Sequence, residues 1–256
     1  MKAILCLLFS ICLLGASAQQ DARKHYAKND FEKALAAYDR ADRQSLTTTD
    51  LVNYATAAYF QGQFQKCADI TVLGLAREPG NAAFHRLAFF SHDELKDYAE
   101  ALRHADSLFS HTDTLKLQYF DYANYGRLLI RQATALTDSL ASMSMLQKAD
   151  SVCTVLENRF DQSIEYATYM RARIATLMDS DQRKALAKPF YERLADIILH
   201  KTANGATDRE RLKESYQYLM TYHFNVSNDI SQALEYARQL LAIDPDDAAA
   251  RQLVGP

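Results

Sequence analysis

The fold is decided by residues 54–79, YATAAYFQGQFQKCADITVLGLAREP, where two apolar stretches lie on either side of Gly62. Each stretch repeats small and apolar residues every three or four positions, which is typical of an amphipathic α-helix. Gly62 can adopt the left-handed conformation that ends a helix. Cys67 follows where two antiparallel helices approach most closely, and a bulky side chain there would cost about 1–3 kcal/mol. The stretch therefore predicts a helix–turn–helix unit.

The small residue at Cys67 recurs along the chain as a marker of further units. Six such anchors can be followed: Ala34, Cys67, Ala101, Ala149, Ala187 and Ala233. The first three are 33 and 34 residues apart, and the later intervals are 48, 38 and 46 residues. A repeat of this length is the sequence signature of stacked helical hairpins. The wider intervals predict longer helices or turns in the middle units.

Capping residues and the scarcity of helix breakers favour an all-α protein. Thr47 with Asp50, and Thr207 with Glu210, predict capping boxes at the start of two units. Asn29 predicts a left-handed turn before the second helix of the first unit. Only seven glycines and four prolines occur in 256 residues, and no stretch shows the two-residue period of a β-strand.

These units resemble the tetratricopeptide repeat (TPR), a 34-residue helix–turn–helix motif with small and aromatic residues at fixed offsets and a terminal proline. The offsets are met most closely at residues 22–41, 54–79, 87–108 and 220–245. The run YMRARIATLMDSDQRKALAKPFYERL at 169–194 is also similar to segments of exported repeat proteins of Bacteroidota-type bacteria. The resemblance implies an all-α, TPR-like α-solenoid of about six helix–turn–helix units, the middle ones extended.

The first 18 residues have the pattern of a secretory signal peptide. Lys2 supplies the positive charge, residues 4–14 form the apolar segment, and Ala16-Ser17-Ala18 is the cleavage site before Gln19. The apolar run is shorter than the ~20 residues of a membrane-spanning helix; an uncleaved anchor is the alternative. We therefore expect a signal peptide at 1–18, a TPR-like domain at 19–256, and an exported, soluble, periplasmic protein without a transmembrane span.

The cysteines and the charge balance argue against a lipoprotein, a disulfide-linked protein and a nucleic-acid-binding protein. Ile11 precedes Cys12, whereas lipid attachment requires a small residue there, so a lipoprotein is not predicted. Cys67 and Cys153 lie in units that do not adjoin, so we expect two buried thiols and no disulfide. The 29 basic residues are outnumbered by 32 acidic ones, which argues against nucleic-acid binding, since that function requires clustered Lys and Arg.

No catalytic or metal-binding motif stands out. The pairs His85/His92 and His104/His111 are seven residues apart, whereas zinc ligands on a helix are commonly three or four apart. We therefore expect solvated or capping histidines, no metal and no cofactor. No nucleophile-elbow, zinc-protease or phosphate-loop motif is present. A hydrolase using His92 and Asp93 is a weak alternative because the local sequence lacks a positioned nucleophile, so we expect no enzymatic activity.

The TPR resemblance implies a groove lined by the first helix of each unit. Candidate partner-binding residues on these helices are Arg23, Tyr26, Asn53, Tyr59, Phe60, Arg86 and Phe90. Tyrosine, phenylalanine and arginine dominate binding hot spots, although the aromatic side chains could instead pack between units. A carboxylate clamp for chaperones, also known in this family, is matched here only by Asn53 and Arg86 and is therefore not predicted.

The sequence thus predicts a scaffold or adaptor of the periplasm or cell envelope. Its partner would be a protein or peptide segment of the envelope, bound in the concave groove. The alternative is a glycan- or nutrient-binding component of an outer-membrane uptake system, against which the absence of tryptophan argues. Any distinctive function is expected in the extended middle units.

Overall fold

The computed structural model describes residues 17–203 and 205–255, and within them every regular element is helical. Two compact units divide the chain between Leu117 and Gln118. Because helices are the only regular elements of the described residues, the all-α prediction is confirmed. The predicted signal peptide, 1–18, lies outside the described residues except for Ser17 and Ala18.

The first unit consists of three helical hairpins. They are α1 (residues 17–26) with α2 (Phe31–Arg40), α3 (Thr48–Phe60) with α4 (Phe64–Arg77), and α5 (Ala82–Glu94) with α6 (Tyr98–His111). Asn29, Gly62 and Lys96 have φ values of 57°, 69° and 62° between the paired helices. These left-handed residues end one helix and allow the chain to reverse, as predicted for Asn29 and Gly62.

The core of the first unit confirms the repeat frame. Ala34, Cys67 and Ala101 are fully buried, and each is the fourth residue of its helix, in α2, α4 and α6. Gly74 of α4 packs equally closely on α5, since a Cβ atom there would lie 2.3 Å from the ring of the buried Phe84. Small residues therefore occur where neighbouring helices approach.

The second unit contains three further hairpins and a terminal helix. They are α7 (Tyr119–Ala135) with α8 (Ser139–Arg159), α9 (Ile164–Met178) with α10 (Lys188–Leu199), α11 (Ala206–Asn225) with α12 (Ile230–Ile243), and finally α13 (Ala248–Val254). With the first unit this makes six hairpins among the described residues, which confirms the predicted number.

The wide anchor spacings have two different causes. Helix α8 is 21 residues long and Ala149 is its eleventh residue, so about two extra turns precede the anchor. Ala187 is buried but is not inside a helix: it precedes α10 as its N-cap, because Pro189 lies in the first turn of that helix. The fourth residue of α10 is instead the bulky Tyr191. The prediction that a small residue holds this position in every unit is therefore wrong for the fifth.

One of the two predicted capping boxes is present. Thr47 Oγ1 accepts from the Asp50 backbone N–H at 3.2 Å, and the Asp50 carboxylate accepts from the Thr47 N–H at 3.0 Å. The box predicted at Thr207 is wrong because α11 already begins after Gly205, whose N–H donates to Asp208 at 2.9 Å. Thr207 is thus the second residue of α11 and not its N-cap.

The two cysteines are free and buried, as predicted. Burial raises the pKa of Cys67 to about 11 and that of Cys153 to about 12, so both thiols are protonated at neutral pH. Within residues 17–203 and 205–255, no helix has both the length and the apolar character needed to cross a membrane.

Replacing Ala101 with leucine should destabilise the first unit by about 1–3 kcal/mol, because the side chain is fully buried where α6 packs on α5. Lys116→Leu is the control, since Lys116 is exposed and substitutions at such positions usually stay within about 0.5 kcal/mol. Urea unfolding followed by circular dichroism measures both. Equal free energies of unfolding for the two variants would contradict the repeat frame.

Candidate functional site

Four of the seven predicted groove residues meet in one aromatic cluster of the first unit. Tyr26 lies edge-on to Phe31 at 5.6 Å between ring centroids, and Phe31 stacks on Phe60 at 4.7 Å. Tyr59 contacts Phe60 at 5.9 Å and Phe90 at 6.3 Å. Phe60 is 61% exposed, so this cluster offers an apolar ring to a partner. Phe31, which opens α2, was not among the predicted groove residues.

Some of the predicted polar groove residues also make contacts within the first unit. Arg23 donates to Asp50 through Nε at 2.6 Å, while about half of its side chain is exposed. Burial raises the pKa of Tyr38 to about 12, and a hydrogen bond with Asn53 opposes this shift. Arg86 is partly buried on α5. Arg23 and Asn53 therefore contribute to the packing of the unit as well as to its surface.

Asp50 is the centre of the network that holds Arg23. Its fully buried carboxylate accepts from Gln19 Nε2 at 2.7 Å and Thr47 Oγ1 at 2.6 Å, in addition to the Arg23 guanidinium. Burial alone would raise the pKa of Asp50, but the hydrogen bonds from Arg23, Thr47 and Gln19 outweigh it and hold the pKa well below its usual range. The ionised carboxylate thereby ties α1 to the start of α3.

The second unit contains a pocket of about 650 Å³. Its lining comes mainly from one face of α7 and one face of α9, with single residues from α10 and α11. The residues are Arg127, Ile130, Arg131, Thr134, Tyr166, Tyr169, Met170, Arg173, Thr176, Leu177, Tyr191 and Glu214. Their spacing of three or four along α7 and α9 places them on a single side of each helix. We call this space the arginine–tyrosine pocket.

Hydrogen bonds fix the tyrosines of the arginine–tyrosine pocket. Tyr169 donates to Glu214 Oε2 at 3.1 Å, and Tyr191 donates to Glu214 Oε1 at 2.9 Å. The Arg173 guanidinium lies over the Tyr169 ring at 5.7 Å, and Arg211 lies over the same ring at 5.0 Å. Glu214 thus orients two phenol rings, and cations flank one of them.

Solved structures share this arrangement of helices. The C-terminal part of a TPR repeat-containing protein from Cytophaga hutchinsonii superposes with a TM-score of 0.67, covering 93% of this chain and 87% of that chain at 18% identity. The chain has the TPR fold. The origin of that structure is consistent with the Bacteroidota-type resemblance. No protein-family model and no curated protein sequence matches the chain.

Two further TPR structures are similar over most of the chain. YrrB, described as a TPR protein with an unusual peptide-binding site, has a TM-score of 0.53 at 12% identity, covering 80% of this chain and 91% of that chain. PilW, a type IV pilus biogenesis factor, has a TM-score of 0.53 at 16% identity, covering 94% of this chain and 98% of that chain. At these identities the likeness establishes the fold alone.

In the TPR frame, the arginine–tyrosine pocket occupies the face formed by first helices, since α7, α9 and α11 each open a hairpin. A distinctive function was predicted for the extended units, but none of these residues was among the predicted site residues. Their signal was readable: Arg127 and Arg131 are four apart on one helix, and Tyr166, Tyr169 and Arg173 follow at three and four on another. Tyr191 had no such signal because it replaces the small anchor of its unit.

The pocket favours an anionic ligand with an apolar or aromatic part. Three arginines and one glutamate line it, and Arg173 lies 3.9 Å from that glutamate, Glu214. Guanidinium groups bind carboxylates through paired hydrogen bonds. Burial raises the pKa of Tyr166, Tyr169 and Tyr191, so these hydroxyls stay protonated, and Tyr169 and Tyr191 keep their hydrogen bonds to Glu214. The aromatic rings supply contact area at low conformational-entropy cost.

Two of the histidines are more buried than predicted. His85 and His104 are buried, so the prediction that the histidines are solvated or capping is wrong for these two. Their Nδ1 atoms are 3.1 Å apart, and the ring of His92 stacks on that of His104 at 5.7 Å. His92, proposed with Asp93 as a hydrolytic pair, has its Nδ1 atom 3.3 Å from the Asp97 carboxylate. Helices α5 and α6 thus bring together histidines that are distant in sequence.

Proposed function

We propose that the protein is a non-enzymatic scaffold of the bacterial cell envelope that binds an extended segment of a partner protein. The single observation that carries this proposal is the arginine–tyrosine pocket, a polar and aromatic concavity on the face formed by first helices. The segment carries a carboxylate, from an acidic side chain or a chain terminus, next to an apolar or aromatic residue.

The geometry of the pocket supports this chemistry. A carboxylate would be held by Arg131 and Arg173, which approach from α7 and α9. The neighbouring ring of Tyr169, fixed by Glu214, would cover the apolar part of the segment. Because Glu214 already accepts from two tyrosine hydroxyls, these rings are held in place before the ligand arrives, which reduces the entropy lost on binding.

The aromatic cluster of the first unit is the second proposed contact. It contains the predicted residues Tyr26, Tyr59, Phe60 and Phe90, and the exposed ring of Phe60 would insert into an apolar part of a partner. Arg86 and the exposed half of Arg23 would contribute polar contacts. A protein with two such surfaces can act as an adaptor.

The solved neighbours and the N-terminal sequence support the remaining parts of the proposal. YrrB is described as having a peptide-binding site and PilW as a pilus biogenesis factor; peptide recognition and an envelope role are proposals for the present chain. Export rests on the signal-peptide pattern before Gln19. Cell fractionation with N-terminal sequencing tests it, and a periplasmic protein that begins at Gln19 is expected.

Charge reversal in the arginine–tyrosine pocket should weaken binding to acidic peptides. The chain is screened against an array of acidic, neutral and basic peptides, and Kd values are then measured for the peptides retained. Arg131→Glu combined with Arg173→Glu should weaken acidic-peptide binding by at least tenfold, because two favourable charges become repulsive. Phe60→Ala tests the first unit in the same assay.

Arg183→Glu is the matched control, since Arg183 is exposed in the second unit but does not line the pocket. It should leave the Kd unchanged. An array that retains no peptide, or retains only basic ones, would refute the proposed ligand. A glycan-array signal without peptide binding would favour the alternative of a glycan- or nutrient-binding component.

A further inference from the structure

Helices α5 and α6 of the first unit bring three metal-ligating side chains together. His92 lies on α5, and Glu100 and His104 lie one turn apart on α6. One donor atom from each lies within 4.8 Å of the others. Donor atoms around a tetrahedral zinc ion are about 3.4 Å apart. Side-chain rotations that move these donor atoms by about 1 Å would therefore bring them to zinc-binding distance. The proposed peptide contacts do not use these residues.

Hydrogen bonds fix the tautomer of His104. The Pro79 carbonyl, which can only accept, is 2.8 Å from His85 Nε2, so that nitrogen carries the proton. His85 Nδ1 therefore accepts from His104 Nδ1 at 3.1 Å. The remaining nitrogen, His104 Nε2, then has a free lone pair, and it accepts from the Arg103 guanidinium at 2.9 Å. Only this arrangement satisfies all three contacts.

This chain of hydrogen bonds has the form found around bound metal ions. A ligating histidine usually donates its other ring N–H to a group that fixes its orientation, and His85 performs that role here. The proton of His104 therefore lies on Nδ1, and Nε2 is left as the atom that can bind a metal ion.

A cation already bridges two of the three groups. Arg103 Nε donates to Glu100 Oε2 at 2.9 Å while the same guanidinium contacts His104 Nε2. The Arg103 side chain is 58% exposed, so the ion pair is weak and the side chain can swing into solvent. Asp97, whose carboxylate is 3.3 Å from His92 Nδ1, places further negative charge beside the cluster.

We propose that His92, Glu100 and His104 form a binding site for a divalent transition-metal ion, with Arg103 as its internal competitor. Imidazole and carboxylate ligands suit Zn²⁺, and a water molecule would complete the tetrahedron. His85 is a positioning residue for His104. The histidine pairs seven residues apart do not reveal the site, because Glu100 and His104 have the four-residue spacing and His92 comes from another helix.

Zn²⁺ titration of the full chain, by competition with a chromogenic chelator at pH 7.5, tests the proposal. We expect one site per chain. Glu100→Gln should weaken it at least tenfold without affecting the fold, because the substitution keeps the size of a side chain that is 41% exposed. His92→Ala should do the same. Arg103→Ala should tighten binding about threefold or more, since the competing cation is removed; a purely structural role for Arg103 predicts no such gain.

His200→Ala is the control for adventitious surface binding, since His200 and Asp196 are also four apart and 3.3 Å from one another but exposed. It should leave the affinity unchanged. Zn²⁺ should also raise the unfolding midpoint of the wild type but not that of Glu100→Gln. Absence of stoichiometric binding, binding unaffected by Glu100→Gln, or binding weakened by Arg103→Ala would overturn the site.

Discussion

Replacing Asp50 with alanine should lower the free energy of unfolding by about 3 kcal/mol or more, since several hydrogen bonds to one charged group, each contributing about 1.5–3 kcal/mol, are lost together. The carboxylate is fully buried and accepts from Arg23, Gln19 and Thr47. Its removal leaves these donors without their shared acceptor and cuts the connection between α1 and α3. Urea unfolding followed by circular dichroism measures the loss.

Two controls isolate the buried charge of Asp50. Asp50→Asn keeps the size but presents N–H groups to the Arg23 donor, so it should lose most of the same free energy. Asp21→Ala removes an exposed carboxylate that pairs with Lys24 at 3.4 Å, and it should stay within about 0.5 kcal/mol of the wild type. Similar stabilities for all three variants would show that the network contributes no net stability.

The low pKa of Asp50 also predicts acid sensitivity. An unfolded aspartate titrates near pH 3.9, and the folded state holds the pKa of Asp50 well below that. Its stabilising contribution is therefore present above about pH 4 and is lost as the pH falls through the folded-state value. Below pH 4, the unfolding free energy of the wild type should fall more steeply with acidification than that of Asp50→Asn.

The local rules of helix packing made most of the fold predictable. Small anchors such as Ala34 and Ala101, and left-handed residues such as Gly62, act through contacts within one hairpin, so spacing alone locates them. The anchor of the fifth unit was predicted wrongly because Tyr191 takes the place of the small residue. No local sequence pattern predicts that a tyrosine takes the place of the small residue, since this depends on the space left by neighbouring helices.

The candidate sites were predictable only in part, for a similar reason. Phe60 and Phe90 were proposed as groove residues because they occupy first-helix positions of regular units, and the structure places both rings in the aromatic cluster. The pairing of Glu214 with Tyr169 and Tyr191 joins residues 45 and 23 positions apart, and the sequence gives no register for such contacts. Buried charges such as Asp50 belong to the same class, because their partners lie on other helices.

Glu157 is the buried carboxylate of the second unit, and its replacement by alanine should lower the free energy of unfolding by about 3 kcal/mol. On α8, it accepts from Arg171 at 2.8 Å and Thr168 at 3.0 Å, both on α9, and from Arg193 on α10. Arg171 is mostly buried and also donates to Asp150 at 2.9 Å, so removal of Glu157 leaves this cation with one of its two carboxylate partners. Urea unfolding measures the change.

The substitution Glu157→Ala should also weaken binding in the arginine–tyrosine pocket. Helix α9 carries Tyr169 and Arg173 toward the pocket, and it is held to α8 through Arg171 and Glu157. Glu157→Ala should therefore weaken binding of an acidic peptide even under conditions where the chain is folded. Arg193→Ala removes a half-exposed partner of the same carboxylate and should cost less than about 1 kcal/mol. If Glu157→Gln retains full stability and binding, packing volume rather than charge explains the burial of this side chain.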